Sequence, residues 1–108
     1  MALSADLLRG YTDTIILRQL SHADSYGYRI SKQVSLISQG GLEMKEATLY
    51  TAFRRLETAG LIHSYWGNEL SGARRRYYAI SAAGLARLDA DLTAWKETKA
   101  QIDLLLEV

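Results

Sequence analysis

The stretch Ala47-Thr-Leu-Tyr-Thr-Ala-Phe-Arg-Arg-Leu-Glu-Thr-Ala-Gly-Leu-Ile62 decides how the rest of the chain is read. Leu49, Phe53 and Leu56 recur at helical spacing, so this stretch forms the main part of a helix running from about Lys45 to Ala59. Gly60 supplies its C-terminal stop. The other side carries Thr48, Thr51, Arg54 and Arg55, a polar face with two adjacent cations. Immediately afterwards the period changes from helical to strand-like. Leu61 to Trp66 is rich in β-branched and aromatic residues, and Arg76-Tyr77-Tyr78-Ala79-Ile80 is the same. Between them, Gly67 to Ala73 holds two glycines, an asparagine and a serine, which makes a hairpin with a long tip.

Upstream, two further helices are expected. The first runs from about Ser4 to Leu20, with Leu8, Tyr11, Ile15 and Leu20 on one side. The polar cluster Ser21 to Ser25 ends it, and Asp24 or Ser25 can cap the next helix by accepting from an orphan N–H. That helix runs to about Ser38, with Tyr26, Ile30, Val34 and Ile37 on one stripe, and Gly40-Gly41 closes it. Leu42 to Met44 is too short to assign. Downstream, Ser81 caps a last helix, Ala82 to Leu106. Its apolar positions are Leu85, Leu88, Leu92, Trp95, Ile102 and Leu106, and Lys99 fills the gap in an a/d heptad series.

Three helices, a two-stranded hairpin and a long heptad helix make a mainly α fold with a small β-hairpin. This is a winged helix-turn-helix unit, residues 1–81, followed by a C-terminal dimerisation helix, residues 82–108. A helix of roughly 25 residues is nearly 40 Å long at about 1.5 Å per residue. So small a body leaves much of its apolar seam uncovered, and a second copy of the chain is the simplest cover.

Composition bounds the alternatives. The chain has 108 residues, enough for one domain, and is 48% hydrophobic, enough to fill a core. It has no cysteine, which removes disulfides and thiolate metal sites and fits a reducing compartment. Met1 to Gly10 includes Asp6 and Arg9 and lacks a signal-like apolar stretch, and no run is long enough to span a bilayer. A cytoplasmic location is expected. Net charge is only +1, so a nucleic-acid role must rest on where the charges sit. The basic groups gather at Arg54-Arg55 and Arg74-Arg75-Arg76, while the last helix carries Asp89, Asp91, Glu97, Asp103 and Glu107.

Two stretches resemble the PadR family: Ala47 to Ile62 above, and Gly-Ala-Arg-Arg-Arg-Tyr-Tyr-Ala-Ile-Ser, Gly72 to Ser81, followed by Gly84. That family pattern has a Leu-Tyr pair early in the recognition helix, then Arg-Leu-Glu and Gly-Leu-Ile before the wing, and a basic run before Tyr-Tyr. Tyr26-Gly27-Tyr28 fits as well. The closest likeness is to short members with one C-terminal helix, several of which repress multidrug transporter genes. Where many members have prolines around the Leu-Tyr pair, this chain has Ala47, Thr48 and Thr51. Drug-binding relatives can carry an acidic residue near their central tryptophan; here Lys99 lies one turn after Trp95 and opposes a preference for cationic ligands.

The resemblance implies a repressor that binds double-stranded DNA as a homodimer on an operator with two half-sites. A recognition helix reads base edges from its first turns. This places Lys45, Glu46, Thr48, Tyr50 and Thr51 nearest the bases, with Arg54 one turn on. By the same likeness the wing residues Arg74, Arg75 and Arg76 touch the backbone or the minor groove. Strand alternation sends Arg74 and Arg76 to one face and Arg75 to the other. Each has a plainer reading. An arginine run is often a solvated face, Arg55 can pair near Glu57 or cap a helix end, and Tyr50 serves as well in packing. Tyr78 shares its face with Ile80 and belongs to the core; Tyr77 is also structural.

Trp95 is either a bulky knob in the dimer seam or one wall of a slot for a flat hydrophobic effector. Relatives use a tryptophan at the matching place for a ligand. Leu8, Asp91, Ala94 and Thr98 are its candidate neighbours. No cofactor or metal is expected. His22 and His63 sit in no ligand motif, and Gly40-Gly41 is followed by no phosphate-loop residues. An enzyme is therefore not expected. The competing readings are a winged helix that binds protein, which has no need of the Arg74 to Arg76 run beside a polar third-helix face, and a small-molecule sensor without DNA binding, which would keep Trp95 but tolerate loss of Arg54 and Arg76.

Overall fold

The computed structural model describes residues 5–68 and 74–108. Among these the elements are α1 (Ala5–Leu8), α2 (Thr12–His22), α3 (Gly27–Ile37), α4 (Glu46–Thr58), β1 (Ile62–Trp66), β2 (Arg76–Ile80) and α5 (Ala82–Leu106). The expected winged helix with a long terminal helix is present. Its dimensions, 58 × 31 × 21 Å, reflect that helix projecting from the body.

The body is organised around α4. Leu49, Ala52, Phe53 and Leu56 are all buried, as their spacing predicts. They meet Ile16, Leu17 and Leu20 of α2 and Ile30 and Val34 of α3. Phe53 stacks on Tyr78 with centroids 4.0 Å apart, so the hairpin closes the core from the side. The hairpin is antiparallel, with Ile62 opposite Ile80 and Trp66 opposite Arg76. The segment between α3 and α4 also contributes, since Leu42 and Met44 are both buried. Gly60 ends α4 at φ +75°, a backbone that L side chains resist.

Several expectations are corrected. One helix over Ser4 to Leu20 is replaced by α1 and α2, because the chain turns through Arg9, Gly10 and Tyr11, with the Tyr11 N–H donating to the Leu8 carbonyl. The fully buried positions of α2 are then Ile16, Leu17 and Leu20, and Ile15 is only partly covered. Neither Asp24 nor Ser25 caps α3. Ser25 instead exchanges two backbone hydrogen bonds with Tyr78, of 3.1 and 2.7 Å, acting as a third strand one residue long. Tyr26 then takes the N-cap position with extended backbone. Ile37, at the end of α3, is 67% exposed and leaves the buried stripe to Ile30 and Val34. Part of the wing tip, residues 69–73, lies outside the described residues.

The start of α5 is fixed as predicted. The Ser81 hydroxyl accepts from the Gly84 N–H at 3.0 Å and donates to the Gly60 carbonyl at 2.7 Å. Gly84 has a packing reason: a Cβ there would lie 2.1 Å from the Leu61 carbonyl oxygen. The helix therefore leaves the body in close contact with the α4–β1 turn. Its first half packs on α2 and β2. Leu88, expected in the dimer seam, is only 2% exposed and is part of the chain's own core; Leu92 packs partly against that core.

Candidate nucleic-acid interface

Because α4 buries one stripe, it must present the opposite one. Lys45 at its N-cap, then Glu46, Thr48, Tyr50, Thr51 and Arg54, are all exposed. They form one continuous polar face over the helix's first turns, where unpaired backbone N–H groups also point outward. Tyr50 is held edge-on to Phe53 at 6.1 Å, so it both packs and presents its hydroxyl.

Arg55 does something else. Its Nε donates to Asp13 Oδ2 at 3.1 Å, and its Nη2 donates to Asp13 Oδ1. This bidentate pair ties α4 to α2 and replaces the expected pairing with Glu57. The hydrogen bond to Asp13 raises the already high pKa of the guanidinium, and the slight burial of the group opposes this only in part. Glu57 is engaged by the wing. The Ser64 hydroxyl donates to Glu57 Oε2 at 2.7 Å, and Arg76 Nη2 donates to that same hydroxyl at 2.8 Å. This chain of bonds locks the strand pair onto the side of α4.

The wing arginines alternate as the strand period requires. Arg74 and Arg76 lie over the Trp66 ring, at 5.8 and 5.5 Å, while Arg75 lies over Tyr26 at 4.8 Å. All three are exposed. The Gly67 N–H donates to the Arg75 carbonyl at 2.6 Å, so the hairpin continues past its formal end. Arg29 was not among the residues expected from sequence. Its guanidinium also lies over Tyr26, at 4.7 Å. Tyr26 and Arg29 are three residues apart, a spacing that lets side chains meet at the start of a helix, but the ring is placed on this face by the pairing of Ser25 with Tyr78.

Two tyrosines on this side stay protonated well into the alkaline range. Tyr65 is pushed up mainly by donating to Asp24 Oδ2 at 2.6 Å. Tyr78 is pushed up chiefly by burial, against an opposing effect of Arg76.

The residues expected around an effector lie on the arm and at the end of α1. Trp95 is 42% exposed and meets Tyr11 edge-on at 5.2 Å. Leu8 is half-buried, and Ala94 and Thr98 are exposed. Asp91 accepts from the Thr14 hydroxyl at 2.7 Å and from Arg87 at 3.1 Å, so its carboxylate braces α5 against α2. Of the expected seam, Leu85, Lys99, Ile102 and Leu106 are exposed. Leu104 and Leu105, absent from the heptad series, are exposed too, which makes the tip of the arm apolar on several sides. Among the described residues no group of acidic or histidine side chains could hold a metal ion, and no helix is long and apolar enough to cross a membrane.

Comparison with known proteins fits this geometry. The sequence model of the transcriptional regulator PadR-like family matches residues 16–90. An uncharacterized protein of Lysinibacillus sphaericus is 42% identical over 103 residues, covering 95% of this chain and 94% of its own. Among solved structures, a transcriptional regulator from Clostridium thermocellum is 44% identical with a TM-score of 0.87, over 94% of this chain and 96% of its own. A PadR family transcription regulator from Clostridium difficile is 37% identical with a TM-score of 0.79, over 89% and 98%. The buried positions of α2, the helices α3 and α4, the hairpin and the first turns of α5 all fall within the matched span, and the chain belongs to the PadR-like family of transcriptional regulators.

Proposed function

We propose that the chain is a homodimeric repressor that binds a two-half-site operator through α4 and the wing, and is released by a flat hydrophobic ligand. One observation carries the DNA-binding part: the exposed polar face of α4 and the exposed arginines of β2 project from adjoining elements locked together by Glu57, Ser64 and Arg76. Rigid presentation of base-reading and phosphate-binding side chains is what a major-groove reader needs. In this reading Lys45, Glu46, Thr48, Tyr50, Thr51 and Arg54 face the groove, and Arg74, Arg75 and Arg76 take backbone contacts.

The arm supports the dimeric part. Ile102, Leu104, Leu105 and Leu106 have exposures of 48 to 78%, on a helix that the body covers only at its base. Leu85, Leu92, Trp95, Lys99, Ile102 and Leu106 then face the second copy. Two Trp95 rings, each already braced by Tyr11, would wall a slot near the two-fold axis, with Leu8, Asp91, Ala94 and Thr98 around it. A ligand that changed arm spacing would change the separation of the two α4 helices and weaken binding to a two-half-site operator.

The test is the affinity for the intergenic duplex upstream of the chain's own gene, measured at several salt concentrations. Tight binding that falls steeply with salt and exceeds that for unrelated duplex is the expected result. Weak binding without preference, on that and on other candidate operators, would move the chain to the protein-binding class of winged helices.

A further inference from the structure

We propose that Arg29 and Arg75, gathered on the ring of Tyr26, form a clamp for one backbone phosphate of the bound duplex; this rests on the DNA-binding reading above.

The local sequence explains why the ring is available. Ser25 pairs with Tyr78 and turns its side chain inward, where it is 6% exposed. Strand alternation sends the next side chain outward, onto the face shared by Tyr77 and Tyr65. Tyr26 meets Tyr77 edge-on at 5.3 Å, and Tyr77 stacks on Tyr65 at 5.7 Å. The Tyr65 hydroxyl is anchored on Asp24. Three rings thus form a platform held at one end by that hydrogen bond and at the other by the start of α3.

Two cations from different elements converge there. Arg29, in the first turn of α3, has its guanidinium carbon 4.7 Å from the Tyr26 centroid and 6.0 Å from that of Tyr77. Arg75, just before β2 on the side of the wing tip, lies 4.8 Å from the Tyr26 centroid. Among the described residues Arg29 makes no ion pair; it donates to the Asp24 carbonyl at 3.5 Å, while the Asp24 carboxylate accepts from Tyr65. The ring's negative face offsets part of the repulsion between two guanidinium groups. A phosphodiester accepting from both offsets it further, and the planar fork of arginine matches phosphate oxygens. Holding two long side chains on a fixed platform also lowers the entropy lost when they bind.

The location suits DNA. Antiparallel pairing of Ser25 with Tyr78 carries the chain from Ser25 towards Tyr77 and the tip-side end of β2, so α3 starts on the side of Arg75. The start of α3 also lies against α4, where a Cβ on Gly27 would be 3.9 Å from the Tyr50 hydroxyl. The clamp therefore sits between the two elements proposed to read the operator. A phosphate contact there sets register and affinity, not base preference.

The experiment measures binding of the full chain to its upstream intergenic duplex and to an unrelated duplex of equal length, across a salt series. Arg29→Ala is expected to weaken both by the same factor, about tenfold, and to lower the slope of log affinity against log salt by about 1. Because one phosphate is shared, Arg29→Ala with Arg75→Ala should be little weaker than the worse single variant. Tyr26→Phe should bind like the parent, and Tyr26→Leu should reproduce much of the loss. Thermal unfolding of each variant identifies any that fails to fold, and Arg29→Gln then replaces Arg29→Ala. Wild-type affinity and slope in the Arg29 variant would overturn the clamp. So would additive losses, which mean two separate phosphates, or a changed preference between duplexes, which means base reading. A parent protein without salt-dependent affinity for either duplex would overturn the DNA-binding reading itself, before any substitution is compared.

Discussion

Leu17 and Leu105 are both leucines on long helices, yet the first is 0% exposed and the second 70%. Leu17 belongs to the body, where α2, α3, α4 and the hairpin enclose one core. Leu105 belongs to the far end of the arm, which no element of the chain reaches. The boundary runs through α5 itself: Leu88 is in the core, Leu92 is half-covered, and from Trp95 onward every residue is exposed. The difference separates what holds the chain folded from what the chain offers to others. Each buried aliphatic or aromatic side chain in the body contributes about 1.5–3 kcal/mol by leaving water. The apolar residues at the tip of the arm contribute far less until something covers them.

The largest effect should come from Phe53, which is 1% exposed and stacked on Tyr78. Phe53→Ala is expected to cost about 3–5 kcal/mol, through lost burial and the cavity left behind. Chemical denaturation should show this loss at every protein concentration. Leu105→Ala should lower stability only in a concentration-dependent way, as expected for a residue covered by a second copy. A cost at Leu105 that is independent of concentration would erase the distinction between body and arm.

A more pointed substitution acts on the arm alone. Ile102→Asp with Leu105→Asp places two carboxylates on the exposed tip, where the two side chains are 48% and 70% exposed in the single chain. In a dimer seam, an unpaired buried charge costs about 3–5 kcal/mol, a shift of more than a hundredfold in the dissociation constant. Sedimentation should find a folded monomer with unchanged far-UV circular dichroism. These positions separate folding from association better than Leu92, which packs partly on the chain's own core. A dimer that survives both changes would place the interface elsewhere.

The body was more legible in the sequence than the interface, and the reason is range. Leu49, Phe53 and Leu56, the stop at Gly60 and the cap at Ser81 all follow from neighbours within a turn or two. Alternation over Arg74, Arg75 and Arg76 was equally readable, and the side chains divide between Trp66 and Tyr26 accordingly. What the sequence hid depends on residues far apart in the chain. Ser25 looks like a cap until Tyr78 is beside it. Leu88 looks like a seam residue until α2 is seen to cover it. Arg55 offered a local carboxylate in Glu57 and took Asp13 instead, while Glu57 went to Ser64. Arg29 stands only three residues from Tyr26, but the platform that ring joins, with Tyr77 and Tyr65, exists only after the sheet has formed.

The smallest effect concerns the link between the two regions. Adjacent residues of α2 reach in different directions: Asp13 accepts from Arg55 on α4, and Thr14 donates to Asp91 on α5. The helix thus joins the element proposed to read DNA to the element proposed to carry the partner. Asp13→Asn removes the carboxylate charge from a pair whose arginine side chain is 53% exposed, so solvent screens most of the Coulomb energy. A stability loss of about 0.2–1 kcal/mol is expected by denaturation, with a dimer dissociation constant unchanged, because the Thr14–Asp91 bond is untouched. Arg55→Gln should cost a similar amount, and the double variant little more, since both singles remove one interaction. A loss well above 1 kcal/mol would mean that the pair sets the position of α4 against α2 instead of only trimming it. A weakened dimer would mean that strain at α4 passes through α2 into the arm, and the body and the arm would then be one mechanical unit.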